Sequence, residues 1–191
     1  MKNLEILDTT NLQPEDWDYI YQSNGYEDQG SGPGSTIENT YPLIYWLKTF
    51  IANNNIYSIL DIGCGDLQWI PTLLKDMPEV SYTGVDCVQN IIQKHQEVFP
   101  DYNFICSDIY DRDFEIEGHY DLVLCKDVIH HRINEIDLIL ENIDRIKSGA
   151  YIIICPEYLA IDITKVSTDY RWIHSYTADE PKGISIKINR L

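Results

Sequence analysis

Positive charge is what this chain has least of: fourteen Lys and Arg stand against thirty-one Asp and Glu, a formal net charge of -17. A field of that sign repels polyanions, so nucleic acid and anionic membrane surfaces are excluded as expected partners, and the few basic residues form no cluster in sequence. No apolar run reaches the length of a membrane span. The N-terminus, Met-Lys-Asn-Leu-Glu-Ile-Leu-Asp, lacks the basic-then-apolar pattern of a signal peptide, and an intracellular, cytoplasmic location is expected. The five cysteines, Cys64, Cys87, Cys106, Cys125 and Cys155, are odd in number and form no Cys-x-x-Cys pair or other zinc spacing. Reduced thiols and no metal are expected. Internal repeats and low-complexity segments are absent too.

What is present is one domain's worth of chain. The 191 residues, 44% of them hydrophobic, suffice to bury a core without staples. The stretch Ser58 to Leu74 opens as an apolar run ending in Asp61, turns through Gly63 and Gly65, and continues with Leu67, Ile70, Leu73 and Leu74 at helical spacing. It reads as strand, tight turn and helix. Glycine at such a turn lets backbone approach a ligand closely.

The rest alternates around that unit. Val80 to Asp86, Tyr102 to Cys106, His119 to Cys125 and Ala150 to Cys155 read as strands, with helices over Val88 to Phe99 and from an Asn134 cap to a stop at Ser148-Gly149. Possible strands around Arg171 to Tyr176 and Ile184 to Asn189 close the chain. Strands alternating with helices predict a doubly wound α/β sheet. Upstream, an acidic and aromatic stretch holds Trp17 and Tyr21, with Pro14, Glu15 and Asp16 suited to a first helical turn. This is either a short helix packed on the domain or a lid. Gly30 to Ser35 follows, either a lid whose amides bind a carboxylate or phosphate or a flexible connector. A helix through Ile44, Leu47, Phe50 and Ile51 comes next, with Trp46 in its core face; Trp69 and Trp172 lie nearer the expected pocket.

Four motifs in order carry a resemblance. Asp61-Ile62-Gly63-Cys64-Gly65, Asp86 closing the second strand, Cys106-Ser107-Asp108-Ile109, and Asp121 to His131 resemble the class I S-adenosylmethionine-dependent methyltransferases. Ser31-Gly32-Pro33-Gly34-Ser35 and Cys64-Gly65-Asp66 with Gln68 and Trp69 resemble a small single-domain subgroup of these enzymes. The resemblance implies a Rossmann-like, mostly parallel seven-stranded sheet with helices on both faces. It implies one methyltransferase domain over 1–191, with 1–35 as cap or lid, and S-adenosyl-L-methionine as cofactor.

The site residues follow from it. Asp86 is expected to accept the ribose hydroxyls by charge-assisted bonds. Asp61 is expected to hold the glycine loop and the cofactor's ammonium end, and Asp108, between Ser107 and Ile109, to border the adenine unless it serves only as an N-cap. Each cysteine falls at a strand's carboxyl end, which sets Cys64, Cys87 and Cys125 beside the cofactor with Gly63 and Gly65. A nicotinamide cofactor is the weaker fit, because the third glycine of that fingerprint is replaced by Gln68.

His130 and His131 are candidates for the base that an oxygen acceptor requires, with packing or capping under the loop as the alternative. Asp127 flanks them and either orients a histidine or binds the acceptor. Ser31, Gly32, Ser35, Lys126 and Arg171 are expected at the acceptor or in a lid. The expected function is O-methylation of a small molecule, a sugar or nucleotide-sugar hydroxyl, in the sense of glycan modification. N-methylation of an amine or protein, or cofactor binding without chemistry, stand as alternatives. The acceptor and the oligomeric state are not legible.

Overall fold

The computed structural model describes residues 11–23, 30–146, 148–155 and 185–188. Its strands are β1 Ser58–Ile62, β2 Ser81–Asp86, β3 Asn103–Cys106, β4 Tyr120–Lys126, β5 Ser148–Cys155 and β6 Ser185–Ile188. They form one sheet in the order β3-β2-β1-β4-β5-β6. β1 to β5 pair in parallel and β6 lies antiparallel on β5. The strand order reverses between β1 and β4, so a crevice opens above their carboxyl ends, the place where open α/β sheets bind ligands.

Period-two alternation divides the apolar residues of β1, β2 and β4 between two cores. Ile59, Tyr82, Leu122 and Leu124 pack against helices α2 Ile37–Asn54, α3 Ile70–Leu74 and α4 Gln89–Val98. Leu60, Ile62, Val85, Val123 and Cys125 face the other way, against α5 Ile136–Arg145 and the Ile109 to Ile116 connection. Both faces are covered, as the doubly wound pattern predicts. The described residues contain six strands; the seventh expected strand, at Arg171 to Tyr176, lies outside them. Among the described residues no helix is long and apolar enough to cross a membrane.

Local chemistry moved several boundaries. α1, Pro14–Gln22, begins on its proline, and Gln13 and Asp16 form a reciprocal cap. α3 is a five-residue helix that starts at Ile70, because Leu67 has φ 58 and belongs to the turn before it. Asn134 does not cap α5. It sits in a 3-10 turn, Ile133–Glu135, whose Glu135 occupies the cap position. Nor do Ser148 and Gly149 end that helix: it stops at Arg145, and both residues already belong to β5.

Candidate active site

The site is assembled from the loops that follow β1, β2, β3 and β4, roofed by the N-terminal segment. At β1 the chain folds back on itself. The Gly63 and Cys64 amides both donate to the Val85 carbonyl, at 2.8 and 2.9 Å, and the Gly65 amide donates to Asp86 Oδ2 at 3.0 Å. Gly63 and Gly65 have φ 70 and 57, and a Cβ on Gly63 would lie 2.3 Å from Val128 Cγ2. Only glycine fits between β1 and the β4 loop there. Because these three amides are turned down onto β2, the loop does not present the fan of N–H groups that cradles a pyrophosphate. That geometry disfavours a dinucleotide and suits a ligand held by carboxylates.

The carboxylates are close at hand. Asp61, 3% exposed, accepts the Tyr82 hydroxyl at 2.8 Å, and burial pushes its pKa up to about 7 against the pull of that hydroxyl and of Lys126. Asp86, at the end of β2, accepts Gly65 N and, through Oδ1, Val88 N at 3.1 Å; burial pushes its pKa up to about 6. Asp108 closes an Asx turn on Tyr110 N at 3.0 Å, and its second oxygen accepts Arg132 Nη2 at 2.9 Å. Both carboxylate oxygens of Asp108 are thus engaged within the protein while its edge still faces the cavity.

The loop after β4 turns on Asp127, a non-glycine residue at φ 57, which is the kind of conformation that collects at functional sites. Asp127 forms an ion pair with Lys126, and Lys126 Nζ also donates to the Gly34 carbonyl at 2.9 Å. A 3-10 turn carries His130 and His131, whose rings lie 3.9 Å apart by centroid. The edge of Trp17 meets His131 at 4.6 Å. Leu12 N donates to the His131 carbonyl, and Arg132 Nε returns a bond to the Leu12 carbonyl, both at 2.9 Å. The Arg132 guanidinium also lies 4.7 Å over the Tyr110 ring. One buried arginine therefore ties the N-terminal segment, the β3 loop and the β4 loop together.

These residues enclose a cavity of about 440 Å³, within the usual range for small-molecule sites. Among the expected site residues, Asp61, Gly63, Cys64, Gly65, Asp86, Cys87, Ser107, Asp108, Ile109, Lys126, Asp127, His130 and His131 all line it, as do Ser31, Gly32 and Ser35. Cys125 does not. It points into the core under α5 and is 1% exposed, because strand alternation turns it to the face opposite Asp61. Arg171 and Trp172 lie outside the described residues. Burial and the neighbouring Asp86 carboxylate push the Cys64 and Cys87 thiols up, so both are protonated small side chains rather than nucleophiles.

The Ser31 to Ser35 strap departs from expectation in one respect. The Ser31 amide donates to Asp66 Oδ2 at 3.2 Å, its hydroxyl bonds Asp66 Oδ1, and the Ser35 amide donates to the Gly32 carbonyl. The carboxylate that the Ser31 amide binds is the protein's own, and the Ser35 amide is taken up by a backbone carbonyl. Leu12, Trp17, Tyr21, Tyr110 and Arg132 are wall residues that the motifs did not assign. The i,i+4 spacing of Trp17 and Tyr21 on α1 was their one local signal.

Residues 60–149 match the family described as "Methyltransferase domain". The search of curated proteins gave no match. Among solved structures, the N-methyltransferase NodS from Bradyrhizobium japonicum WM9 in complex with S-adenosyl-L-homocysteine superposes with TM-score 0.65 at 14% identity, over 90% of this chain and 99% of that one. The plantazolicin methyltransferase BpumL in complex with SAH gives TM-score 0.61 at 18% identity, over 93% and 95%. The magnesium protoporphyrin IX methyltransferase ChlM from Synechocystis PCC 6803 with bound SAM gives 0.57 at 18% identity, over 78% and 79%. Residues 60–149 are thus similar to a methyltransferase domain, and the chain has the fold that these three enzymes share.

Proposed function

We propose that this S-adenosyl-L-methionine-dependent methyltransferase acts on a hydroxyl of a sugar or nucleotide-sugar, with His130 as the base. The observation that carries the cofactor site is the set of three carboxylates, Asp61, Asp86 and Asp108, on successive strand ends around one cavity and beside a glycine turn with its amides turned away. Asp61 suits the ammonium end, Asp86 the ribose diol and Asp108 the adenine edge, in line with the likeness to class I enzymes. When bound, S-adenosylmethionine supplies a methyl carbon already activated by its sulfonium.

The chain's own residues then have two tasks, alignment and proton removal. Trp17, Tyr21 and the strap to Ser35 wall the acceptor side and exclude water; holding the acceptor in line accounts for up to roughly 7–11 kcal/mol of the barrier. His130 would accept the acceptor's hydroxyl proton, so that its oxygen can take the methyl group as the carbon–sulfur bond breaks and the neutral thioether leaves. His131 is a positioning residue, since its carbonyl and ring anchor Leu12 and Trp17. His130→Asn should lower kcat about 10²–10³-fold while leaving affinity for S-adenosylhomocysteine unchanged. Transfer of labelled methyl into a metabolite extract tests the acceptor class, and absence of label from every carbohydrate fraction overturns the sugar assignment.

A second reading, N-methylation, is favoured by one observation. The four cavity carboxylates outnumber Lys126 and Arg132, which are themselves paired with Asp127 and Asp108, and this field attracts an amine. An amine needs less help in losing its proton, so kcat would then be nearly insensitive to His130→Asn. Binding of S-adenosylmethionine without turnover on any acceptor would leave a regulatory module.

A further inference from the structure

His95 stands outside every motif, yet it is buried to 4% exposure and reaches the cofactor loop from behind. It lies on the buried stripe of α4 with Ile91 and Ile92, where the pattern calls for an apolar residue. Its ring packs 5.3 Å from Phe104 by centroid, and Nε2 lies 2.7 Å from the Gly65 carbonyl oxygen. A carbonyl only accepts, so Nε2 carries the proton and Nδ1 does not. Desolvation lowers the pKa of His95, which keeps the ring neutral and the tautomer fixed.

The Gly65 residue is thereby held on both sides, its amide by Asp86 at 3.0 Å and its carbonyl by His95. The other donor to that carbonyl is the Cys64 thiol at 3.9 Å, a weak one. Gly65 sits at φ 57 and rotates freely in the absence of such contacts. We infer that His95 is a positioning residue for the cofactor: its bond to the Gly65 carbonyl fixes the Gly65–Asp66 peptide and so limits rotation at Gly65, whose amide, on the preceding peptide, orients the Asp86 carboxylate toward the ribose. This rests on the assignment of Asp86 to the ribose. Without the bond, the binding-competent loop is one of several, and cofactor affinity falls by the fraction of chains that hold it.

Calorimetric titration of S-adenosylhomocysteine into wild type, His95→Phe and His95→Gln tests the inference. Phenylalanine keeps the packing on Phe104 and removes the donor; glutamine restores a donor. His95→Phe should bind roughly tenfold more weakly and His95→Gln within about threefold of wild type. Equal binding by His95→Phe and wild type, or equal losses in both variants, overturns it. Nitrogen-15 spectra of the wild-type imidazole provide a measurement independent of folding: an Nε2–H tautomer is expected, and an Nδ1–H tautomer overturns the proposal even if His95→Phe fails to fold. A wild-type chain that binds no S-adenosylhomocysteine overturns the cofactor assignment itself, an outcome the variants cannot mimic.

Discussion

At the amino end of the β1–β4 pair, Asp121 Oδ2 accepts three hydrogen bonds, from Tyr57 N, Ser58 N and the Ser58 hydroxyl, at 2.8 to 3.0 Å. Its own amide donates to that hydroxyl at 2.9 Å. At the carboxyl end of the same pair, Asp61 accepts one, from the Tyr82 hydroxyl, and is buried with its pKa pushed up to about 7. The first carboxylate takes three hydrogen bonds on one oxygen and fastens two strands. The second is left with acceptor capacity that the fold does not use. The two aspartates, each the first residue of its motif, thus differ: one fastens strands, and the other has the free acceptor capacity that its proposed role with the cofactor's ammonium end requires.

That contrast can be broken from either end. Asp121→Ala should cost about 3 kcal/mol of stability in urea unfolding, since it strands two strand-edge amides, and should leave affinity for S-adenosylhomocysteine within twofold. Asp86→Ala should differ in affinity: on the proposed ribose role, binding of S-adenosylhomocysteine falls about a hundredfold through the loss of charge-assisted bonds, measured by calorimetry. Its unfolding midpoint should fall too, because the buried Gly65 and Val88 amides lose their acceptor.

The smallest effect sharpens the comparison through pH. Folded pKa values near 7 for Asp61 and 6 for Asp86 lie above the ordinary carboxylate value, so the folded chain holds these protons more tightly than the unfolded one. Their contribution to stability is full below the ordinary carboxylate value of 3.8 and is lost as pH rises through about 6 to 7. A cofactor that prefers the ionised carboxylates binds with proton release, so its affinity should climb from pH 5 to about 7 and then level. Asp61→Asn should flatten the upper part of that climb, and affinity already level below pH 6 would contradict the assignment.

Much of this site was legible because its carboxylates terminate buried apolar runs, a pattern written in a few consecutive residues. Asp61 and Asp86 are of that kind, and so is the alternation that gives the parallel sheet. Cys125 shows where adjacency misleads: it pairs with Ile62 in register, and period-two geometry sends its thiol to the core although its neighbour Lys126 faces the cavity. Arg132 and Leu12 illustrate a different limit. They meet across 120 residues of sequence, and no local pattern encodes such a pairing. The α5 start was misread because Asn134 has a cap's side chain but sits in a 3-10 turn that delays the helix to Ile136.

The Leu12 to Arg132 pairing also has a bearing on the order in which the protein takes shape. Residues that wall the site leave the ribosome first, and the arginine that holds them emerges 120 residues later. Closing so long a loop is entropically costly, and its reward arrives only after β4 is complete. The expected order is therefore a sheet that forms with its roof open and a pocket sealed late in folding. In pulse-labelled hydrogen exchange during refolding, the Leu12 amide should gain protection after the amides of β1 and β4, and protection that arrives together with theirs would show the roof folding with the sheet.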